Sequence, residues 1–267
     1  MKKAILVAII GAMTLGVNAG DWGKAPVAPS KAPIEECYDL GGEISAGYMS
    51  DFILNGSRVG RDTVWTDVNY TIDSIVPITV GASYFAFDEA DLFAMYAEAA
   101  LGTFAGFDTS LSYTHTFFTE GGNGFLSSQG DIGLNLRRSL GFADLLLGTN
   151  YNVAGNGNSG WYHQAGVEKA FGLTDAASLV LGTGIGYQDS YWTHDGGFGG
   201  SGWANYYVTA SLPIELNCRT TLTPYVGYNG GIDQGGGLTT SDSIFSSGGS
   251  AGGGDVLHAG VSLSVSF

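Results

Sequence analysis

Positively charged residues are scarce in this chain of 267 residues, which has 10 Lys and Arg against 25 Asp and Glu and a formal charge of −15. Binding to a phosphate backbone needs clustered Lys and Arg, so the composition excludes a nucleic-acid partner. Charged residues of both signs make up 13% of the chain, against about 25% in a typical soluble domain. Low charge combined with 44 glycines fits a sheet whose outer face meets lipid.

Cysteine and histidine are also rare. The two cysteines, Cys37 and Cys218, are too few for a zinc site, which needs three or four ligands. The four histidines do not show the H-x-x-x-H spacing of a helical metal site; they are His115, His163, His194 and His258. We therefore expect no metal and no cofactor.

Long apolar runs are absent. The longest, Ala4–Val17, is shorter than the roughly 20 residues of a membrane-spanning helix. Lys2 and Lys3 precede it and an A-x-A-like cleavage site ends at Ala19, which predicts a secretory signal peptide over residues 1–19. We expect a periplasmic linker over residues 20–42 and a folded domain over residues 43–267.

What the chain does contain is alternation of apolar with small or polar residues, a period of two that is typical of strands. In the segment from Val256 to Phe267, for example, Leu257 and Val261 lie on one face and His258 and Ser262 on the other. About twelve such runs, each roughly nine to eleven residues long, predict an all-β fold: a transmembrane antiparallel up-and-down β-barrel of about 12 strands, with 10 or 14 as neighbouring counts. A secreted β-sandwich is the alternative.

The first strand is predicted over Glu43–Asn55. One of its faces, the one expected to point outward, carries Ile44, Ala46, Tyr48, Phe52 and Leu54.

The predicted connections differ in length at the two ends of the strands. Short turns are expected at residues 73–77, 105–108, 139–144, 171–176 and 213–219, and longer loops rich in Gly and Ser at residues 119–128, 189–202 and 230–254. Outer-membrane barrels have short periplasmic turns and long external loops, so both termini are expected in the periplasm. Cys37 and Cys218 then share the periplasmic rim, and we predict a disulfide between them, with two free thiols as the alternative.

One segment carries a family resemblance. Gly47-Tyr-Met-Ser-Asp-Phe-Ile-Leu-Asn-Gly56, followed by Ser57-Arg58, resembles the first-strand motif of a family of porin-like proteins of Gram-negative bacteria whose function is mostly undefined; Asn55 stands where those proteins often have Arg. The aromatic terminus Phe267 is similar to that of Gram-negative outer-membrane barrels, where it belongs to the signal read by the barrel-assembly machinery. These resemblances imply a location in the bacterial outer membrane, with membrane lipid and the assembly machinery as partners.

The predicted strand faces place a set of charged side chains in the lumen. These pore-lining candidates are Glu43, Asp51, Asp67, Glu98, Asp131, Arg137, Glu168 and His258. A ring of carboxylates favours cations in a pore. The sequence thus predicts a porin-like channel for passive diffusion of small polar solutes, with a weak cation preference. Trp65, Tyr96, Tyr207 and Tyr225 also point inward, where they narrow the passage or line a path for a flat or sugar-like solute.

A second interpretation stays open, because buried charges are paired wherever possible. In that case Arg137 bridges Glu168 or Asp131, and the barrel is a structural or surface-recognition and adhesion barrel without transport activity. Its plug would be its own polar side chains or the loop over residues 230–254. The outer loops are expected to form a small recognition patch in this interpretation, or to supply interfacial anchors or pack against neighbouring loops; the residues are Tyr191, Trp192, His194, Asp195 and Phe198.

No catalytic residues are predicted. A phospholipase-type site needs Ser, His and an orienting Asn or Asp, and Ser and Asn are too abundant here for their presence to be informative. His258 is interpreted as a lone polar lumen residue. Gly182, Gly184 and Gly186 form G-x-G-x-G, but a phosphate cradle needs a helix after it and here a strand continues. We interpret these glycines as small inward residues that leave room inside the barrel.

Overall fold

The structure is a computed structural model that describes residues 40–88, 90–120, 125–154, 159–191, 201–232 and 255–267. The strands are β1 (Gly42–Leu54), β2 (Ser57–Ile72), β3 (Ile78–Ala86), β4 (Ala90–Phe104), β5 (Phe107–Glu120), β6 (Phe125–Ser139), β7 (Asp144–Ala154), β8 (Trp161–Gly172), β9 (Ser178–Asp189), β10 (Ser201–Ser211), β11 (Ile214–Asn217), β12 (Thr220–Gly231) and β13 (Val256–Ser266). In these ranges no helix is long and apolar enough to cross a membrane.

The strands close into an antiparallel barrel. Each strand from β1 to β9 pairs with the next, β1 pairs with β13, and β12 pairs with both β13 and β10. The short β11 continues the line of β10 beyond Leu212 and Pro213 and pairs with the start of β12. The wall therefore has twelve strands, which confirms the predicted fold class and excludes the β-sandwich.

The two ends of the barrel differ, and we call them the terminal end and the distal end. At the terminal end the backbone N–H of Leu40 donates to the carbonyl oxygen of Phe267 at 3.0 Å. The connections at this end are short, at residues 73–77, 105–106, 140–143, 173–177 and 218–219, close to the predicted turns. The distal end carries the β1–β2 hairpin and connections that include the ranges 121–124, 155–158, 192–200 and 233–254, which lie outside the described residues.

The predicted faces hold for most of the wall. Apolar side chains such as Val68, Leu111, Val208 and Leu263 are exposed on the outside. The inward face is mainly polar; its buried members include Ser45, Ser83, Ser112, Thr116, Asn150, Thr209, Thr223 and Ser262. This distribution, with polar side chains inside and apolar side chains outside, is the reverse of that in a water-soluble protein.

Candidate functional site: the barrel interior

The tip of the β1–β2 hairpin leaves the wall and lies inside the distal mouth. Pairing of β1 with β13 ends at Met49 opposite Gly260, although β1 continues to Leu54. The bend is marked by a register shift at Phe52 and Ile53 and by a positive φ of 47° at Asp62. Two hydrogen bonds hold the bend, one from the Tyr48 hydroxyl to Asp62 at 2.6 Å and one from the Ala259 amide to Ser50 Oγ at 3.1 Å. We call residues 50–62 the inner hairpin.

One side of the inner hairpin is apolar and packs against an apolar sector of the inner wall. Phe52 is fully buried, and its ring stacks on Phe85 of β3 with centroids 4.6 Å apart. The other members of this cluster include Met49, Leu54, Val59, Trp65, Phe87, Leu92, Ala94 and Phe118. Burial of a large apolar side chain contributes about 1.5–3 kcal/mol, so this contact strongly favours the inward position.

The tip of the inner hairpin is polar and crosses the lumen to the opposite strands. Asn55 Nδ2 donates to the Tyr191 hydroxyl at 2.8 Å, and that hydroxyl donates to Asp131 on β6 at 2.9 Å. The carbonyl oxygen of Gly56 accepts from Asn229 Nδ2 on β12 at 3.2 Å. A side chain at Gly56 would collide with Asn205, so glycine is required there both for its φ of 79° and for this close approach. The hairpin thus spans the mouth from β3 to β12.

The inner hairpin corrects one prediction from the sequence. Phe52 and Leu54 were expected on the outward face with Ile44, Ala46 and Tyr48, but both are buried inside. Strict alternation fails because the strand bends at Phe52 and Ile53. The dipeptide Asn55-Gly56, with φ of 46° and 79°, forms the turn; Asn-Gly is the strongest short hairpin signal and would have located the tip.

The motif that carries the family resemblance coincides with this hairpin. It runs from Gly47 in the wall through the bend to Arg58 on the returning strand. Asp51 and Arg58 form an ion pair of 3.5 Å across the hairpin. The motif therefore specifies a wall strand that turns into the lumen.

Two of the predicted pore-lining carboxylates lie on β2 and β4 with different partners. Asp67 accepts hydrogen bonds from Ser83 Oγ at 2.5 Å, from Asn69 Nδ2 at 3.1 Å and from the Tyr96 hydroxyl at 3.1 Å. Glu98 is only 7% exposed, and among the described residues no cation lies within ion-pair distance of it. Glu98 is therefore a buried carboxyl group without an ion-pair partner among the described side chains.

The predicted lumen cation, Arg137, forms a cluster near the terminal end. Its Nη2 pairs with Asp144 and lies 3.7 Å from Glu168 Oε1. Of the two bridges considered from the sequence, that to Glu168 is present. Asp131 accepts instead from Gln129 Nε2 at 3.0 Å and from Tyr191. Burial and the nearby Asp131 carboxylate raise the pKa of the Tyr191 phenol, which keeps it a hydroxyl donor.

His258 lies inside the distal half of the lumen, as predicted from its strand face. It is buried beside the Tyr225 ring, with centroids 6.0 Å apart. The described residues contain no group of three or more His, Cys, Asp or Glu side chains arranged to hold a metal ion.

Inward aromatic side chains lie directly against inward glycines. A methyl group at Gly184 would lie 2.5 Å from the Tyr207 hydroxyl oxygen, and one at Gly186 would lie 2.4 Å from that of Tyr162. The same relation joins Trp65 to Gly47, Tyr96 to Gly81, and Tyr225 to Gly260. Gly184 and Gly186 of the G-x-G-x-G segment therefore do leave room, and aromatic side chains occupy that room.

The lumen is closely filled. Wall side chains such as Ser110, Thr114 and Ser211 expose only 1–2% of their surface. An aqueous pore of wide bore would leave them accessible to water, so the interior offers at most a narrow path with the inner hairpin in its mouth.

The remaining predicted residues lie near the terminal end or outside the described ranges. The Phe267 ring covers Gly42, and its backbone bonds to Leu40 and Gly42 close the barrel. Cys218 lies in the turn before β12. The signal peptide, most of the linker, Cys37, His194, the loop residues from Trp192 onward and nearly all of the 230–254 loop lie outside the described residues.

Comparisons with known proteins give only distant similarities. No family model matches the chain, and no curated protein matches it. Among solved structures, the KdgM porin is 8% identical with a TM-score of 0.46, covering 84% of this chain and 99% of that one. An outer membrane channel from Pseudomonas putida F1 is 11% identical with a TM-score of 0.47, covering 89% and 100%. The NanC porin is 11% identical with a TM-score of 0.44, covering 85% and 98%. Similarities this low indicate nothing about a shared solute or location.

Proposed function

We propose that this protein is an outer-membrane, porin-like barrel that gives small polar solutes a narrow path with a weak cation preference. The observation that carries the proposal is the reversal of polarity across the wall. The outer face exposes apolar side chains on neighbouring strands, including Val64, Val80, Met95, Leu134, Val167, Leu181, Val226 and Val261. Water-soluble proteins rarely expose apolar patches of this extent, and lipid requires a closed sheet.

The cation preference follows from the lumen charges. The inward acids of the described residues are Glu43, Asp51, Asp67, Glu98, Asp131, Asp144 and Glu168, whereas the inward cations are Arg58 and Arg137. Such an excess of carboxylates produces a negative potential that attracts cations.

The closely filled interior favours a second candidate function, a closed barrel without transport. In this case the inner hairpin and the lumen side chains are a permanent plug, and the barrel acts through its surface. The two candidates differ in whether ions pass through the folded protein and in whether removal of the inner hairpin changes the current.

The test is ion conductance of the refolded mature protein in a planar bilayer under a salt gradient. A matched variant replaces residues 50–62 by Asn-Gly, which joins the directly opposed residues Met49 and Thr63 by a two-residue turn. We expect small cation-biased steps from the parent and larger steps from this variant.

The control is deletion of residues 233–254, most of the 230–254 loop that was considered from the sequence as a plug. If deletion of this loop alone increases the conductance, the loop and not the inner hairpin blocks the lumen. Absence of current from both the folded parent and the hairpin variant would establish the closed barrel instead.

We also propose the Cys37–Cys218 disulfide, with both termini in the periplasm. Ser266 N–H donates to the Arg219 carbonyl at 2.8 Å, and Leu40 N–H to Phe267, so Cys218 lies close to where the chain enters the barrel. Cys37 is three residues before Leu40, a reach of roughly 10 Å, and no cysteine is free within the described ranges. Thiol labelling of the denatured protein should require reductant; complete labelling without it would refute the disulfide.

Phe267 is proposed as part of the signal read by the barrel-assembly machinery. Its ring covers Gly42 and its backbone closes the barrel, so removal has two effects, on recognition and on closure. We expect Phe267→Ala to lower the amount of assembled barrel in cells while refolding into detergent micelles is less affected. Equal losses in both settings would assign the residue to closure alone.

A further inference from the structure

A second segment, at the end of β9, meets the inner hairpin inside the distal mouth. β9 ends at Asp189, and Ser190 has a positive φ of 55°, a conformation that is uncommon for residues other than glycine. The next residue, Tyr191, is only 3% exposed, and its ring centroid lies 5.9 Å from that of the buried Tyr162 on β8. The turn at Ser190 thus places the Tyr191 side chain in the lumen.

The Tyr191 hydroxyl group is the centre of a hydrogen-bond network at the tip of the inner hairpin. It accepts from Asn55 Nδ2 at 2.8 Å and from Gln129 Nε2 at 3.0 Å, and it donates to Asp131 at 2.9 Å. Gln129 and Asp131 both lie on β6. The wall therefore fixes the hydroxyl group to which the hairpin tip is bonded.

A second contact holds the tip from β12. The carbonyl oxygen of Gly56 accepts from Asn229 Nδ2 at 3.2 Å, and Asn229 Oδ1 accepts in turn from Asn205 Nδ2 at 2.7 Å. We call the hydrogen bond from Asn55 to Tyr191 and that from Asn229 to Gly56 the latch. Both bonds join the tip to strands across the lumen from β3.

The latch is the weaker of the two attachments of the inner hairpin. On the apolar side, Phe52 and Val59 are fully buried and Leu54 is 4% exposed. Burial of one large apolar side chain stabilises more than one hydrogen bond does after exchange with water is counted. With three such side chains on one side and two hydrogen bonds on the other, we expect the tip to leave its partners more often than the apolar side leaves the wall.

The charges of the inner hairpin cancel. Asp51 and Asp62 balance Arg58 and Arg61 within residues 50–62. A transmembrane potential acts on net charge, so movement of the whole hairpin gains little energy from it. The latch and the apolar contact therefore determine the position of the hairpin.

We propose that the inner hairpin is a gate that pivots on its apolar side. In the closed position, which is the one observed, the latch holds the tip across the mouth. In the open position the tip has left Tyr191 and Asn229, while Phe52 remains stacked on Phe85. This inference rests on the proposed porin-like function, to which it adds the element that opens and closes the path.

The experiment measures the movement first, by a method that does not depend on ion current. Two reporters are made in the full mature protein, refolded in micelles: Ser57→Cys at the tip and Val59→Cys on the apolar side, both at buried positions. Each is treated with a water-soluble maleimide, and mass spectrometry of the peptide that carries the reporter gives its labelling rate. A buried thiol is labelled only when its segment opens, so the rate follows the open population.

The latch is weakened in two independent variants, so that a folding defect in one does not remove the test. Tyr191→Phe keeps the ring beside Tyr162 and removes the hydroxyl group, and Asn229→Ala removes the donor to Gly56. The matched control is Tyr96→Phe, which also removes a buried hydroxyl group bonded to an inward carboxylate, here Asp67.

We expect the reporter at position 57 to be labelled about fivefold faster in each latch variant, the change expected for one lost hydrogen bond, and at the parent rate in the control. The reporter at position 59 should be labelled slowly in all of them. Unchanged labelling at position 57 in both latch variants would overturn the proposal. An equal increase at position 59 would also overturn it, because the whole hairpin would then leave the wall.

Recordings in a planar bilayer separate this inference from the proposed function. Switching between two current levels, with more time at the higher level in the latch variants, supports both. A current that the latch variants leave unchanged keeps the channel and refutes the gate. The expected labelling without ion current in any of the folded proteins keeps the movement of the hairpin and refutes the channel.

Discussion

Replacing Phe52 by Ala should release the inner hairpin from the lumen. Phe52 is fully buried and stacked on Phe85 at 4.6 Å between ring centroids. Truncation of a buried Phe to Ala costs about 3–5 kcal/mol. Because only the docked hairpin contains this contact, the loss falls on the local equilibrium between docked and released hairpin rather than on the barrel. A loss of about 3 kcal/mol shifts that equilibrium roughly 100-fold.

The assay is amide hydrogen exchange of the refolded protein in micelles. Protection of amides in residues 50–62 should fall about 100-fold in Phe52→Ala, while amides of β6 to β9 keep theirs. The control is Phe104→Ala, the same chemical change at a residue that is 79% exposed. Unchanged hairpin protection in Phe52→Ala would refute the reasoning, since the apolar contact would then not be what holds the hairpin inside.

Three further predictions concern the lumen and its lining. Glu98→Gln should move the reversal potential of the proposed channel toward zero under a salt gradient, when the pH is high enough to ionise this buried carboxyl group. An unchanged potential at that pH would place Glu98 off the ion path. Arg137→Met should lower the free energy of unfolding by about 2–3 kcal/mol, measured by urea titration, because Asp144 and Glu168 lose their cation. A variant as stable as the parent would show that the ion pairs contribute little. Gly184→Ala should destabilise the barrel by about 1–3 kcal/mol because its methyl group meets the Tyr207 hydroxyl and the Ala165 carbonyl. The control Gly172→Ala, with open space around the added methyl group, should be nearly neutral. Equal effects of the two changes would contradict the close packing of Tyr207 on Gly184.

The barrel itself could be predicted from the sequence because its wall is regular. An apolar outer face and a polar inner face impose a strict period of two, and residues such as Leu111 and Ser112 keep to it. The short connections at the terminal end lie close to the predicted turns. The inward positions of Glu98, Asp131, Glu168 and His258 followed from the same alternation.

The inward position of the inner hairpin could not be predicted from this alternation. Phe52, Ile53 and Leu54 are consecutive apolar residues, and the strand bends between Phe52 and Ile53. Alternation alone therefore does not predict that Phe52 and Leu54 face the lumen. The partners that hold the tip, Tyr191 and Asn229, are more than 130 positions away in the chain. Only the closed barrel brings them together.

Partner choice within the lumen was likewise beyond the sequence. Arg137 had two candidate partners, Asp131 on its own strand β6 and Glu168 on β8. Cross-strand register decides between them. It places Asp144 on β7 opposite Glu168 on β8, and Arg137 pairs with both carboxylates. Asp131 lies earlier on the same strand as Arg137 and accepts from Gln129 instead. Register depends on turn geometry, which alternation does not specify.

The early departure of the inner hairpin leaves the joint between β1 and β13 with seven residue pairs, from Glu43–Ser266 to Met49–Gly260. This joint links the two ends of the domain, and its Ala259–Ser50 hydrogen bond spans 209 positions along the chain. Contacts of such long sequence separation require the largest loop closure and tend to form late in folding. Closure of the cylinder is therefore expected as the last step of folding, after the hairpins from β2 to β10 have formed, with the backbone of Phe267 completing the seam.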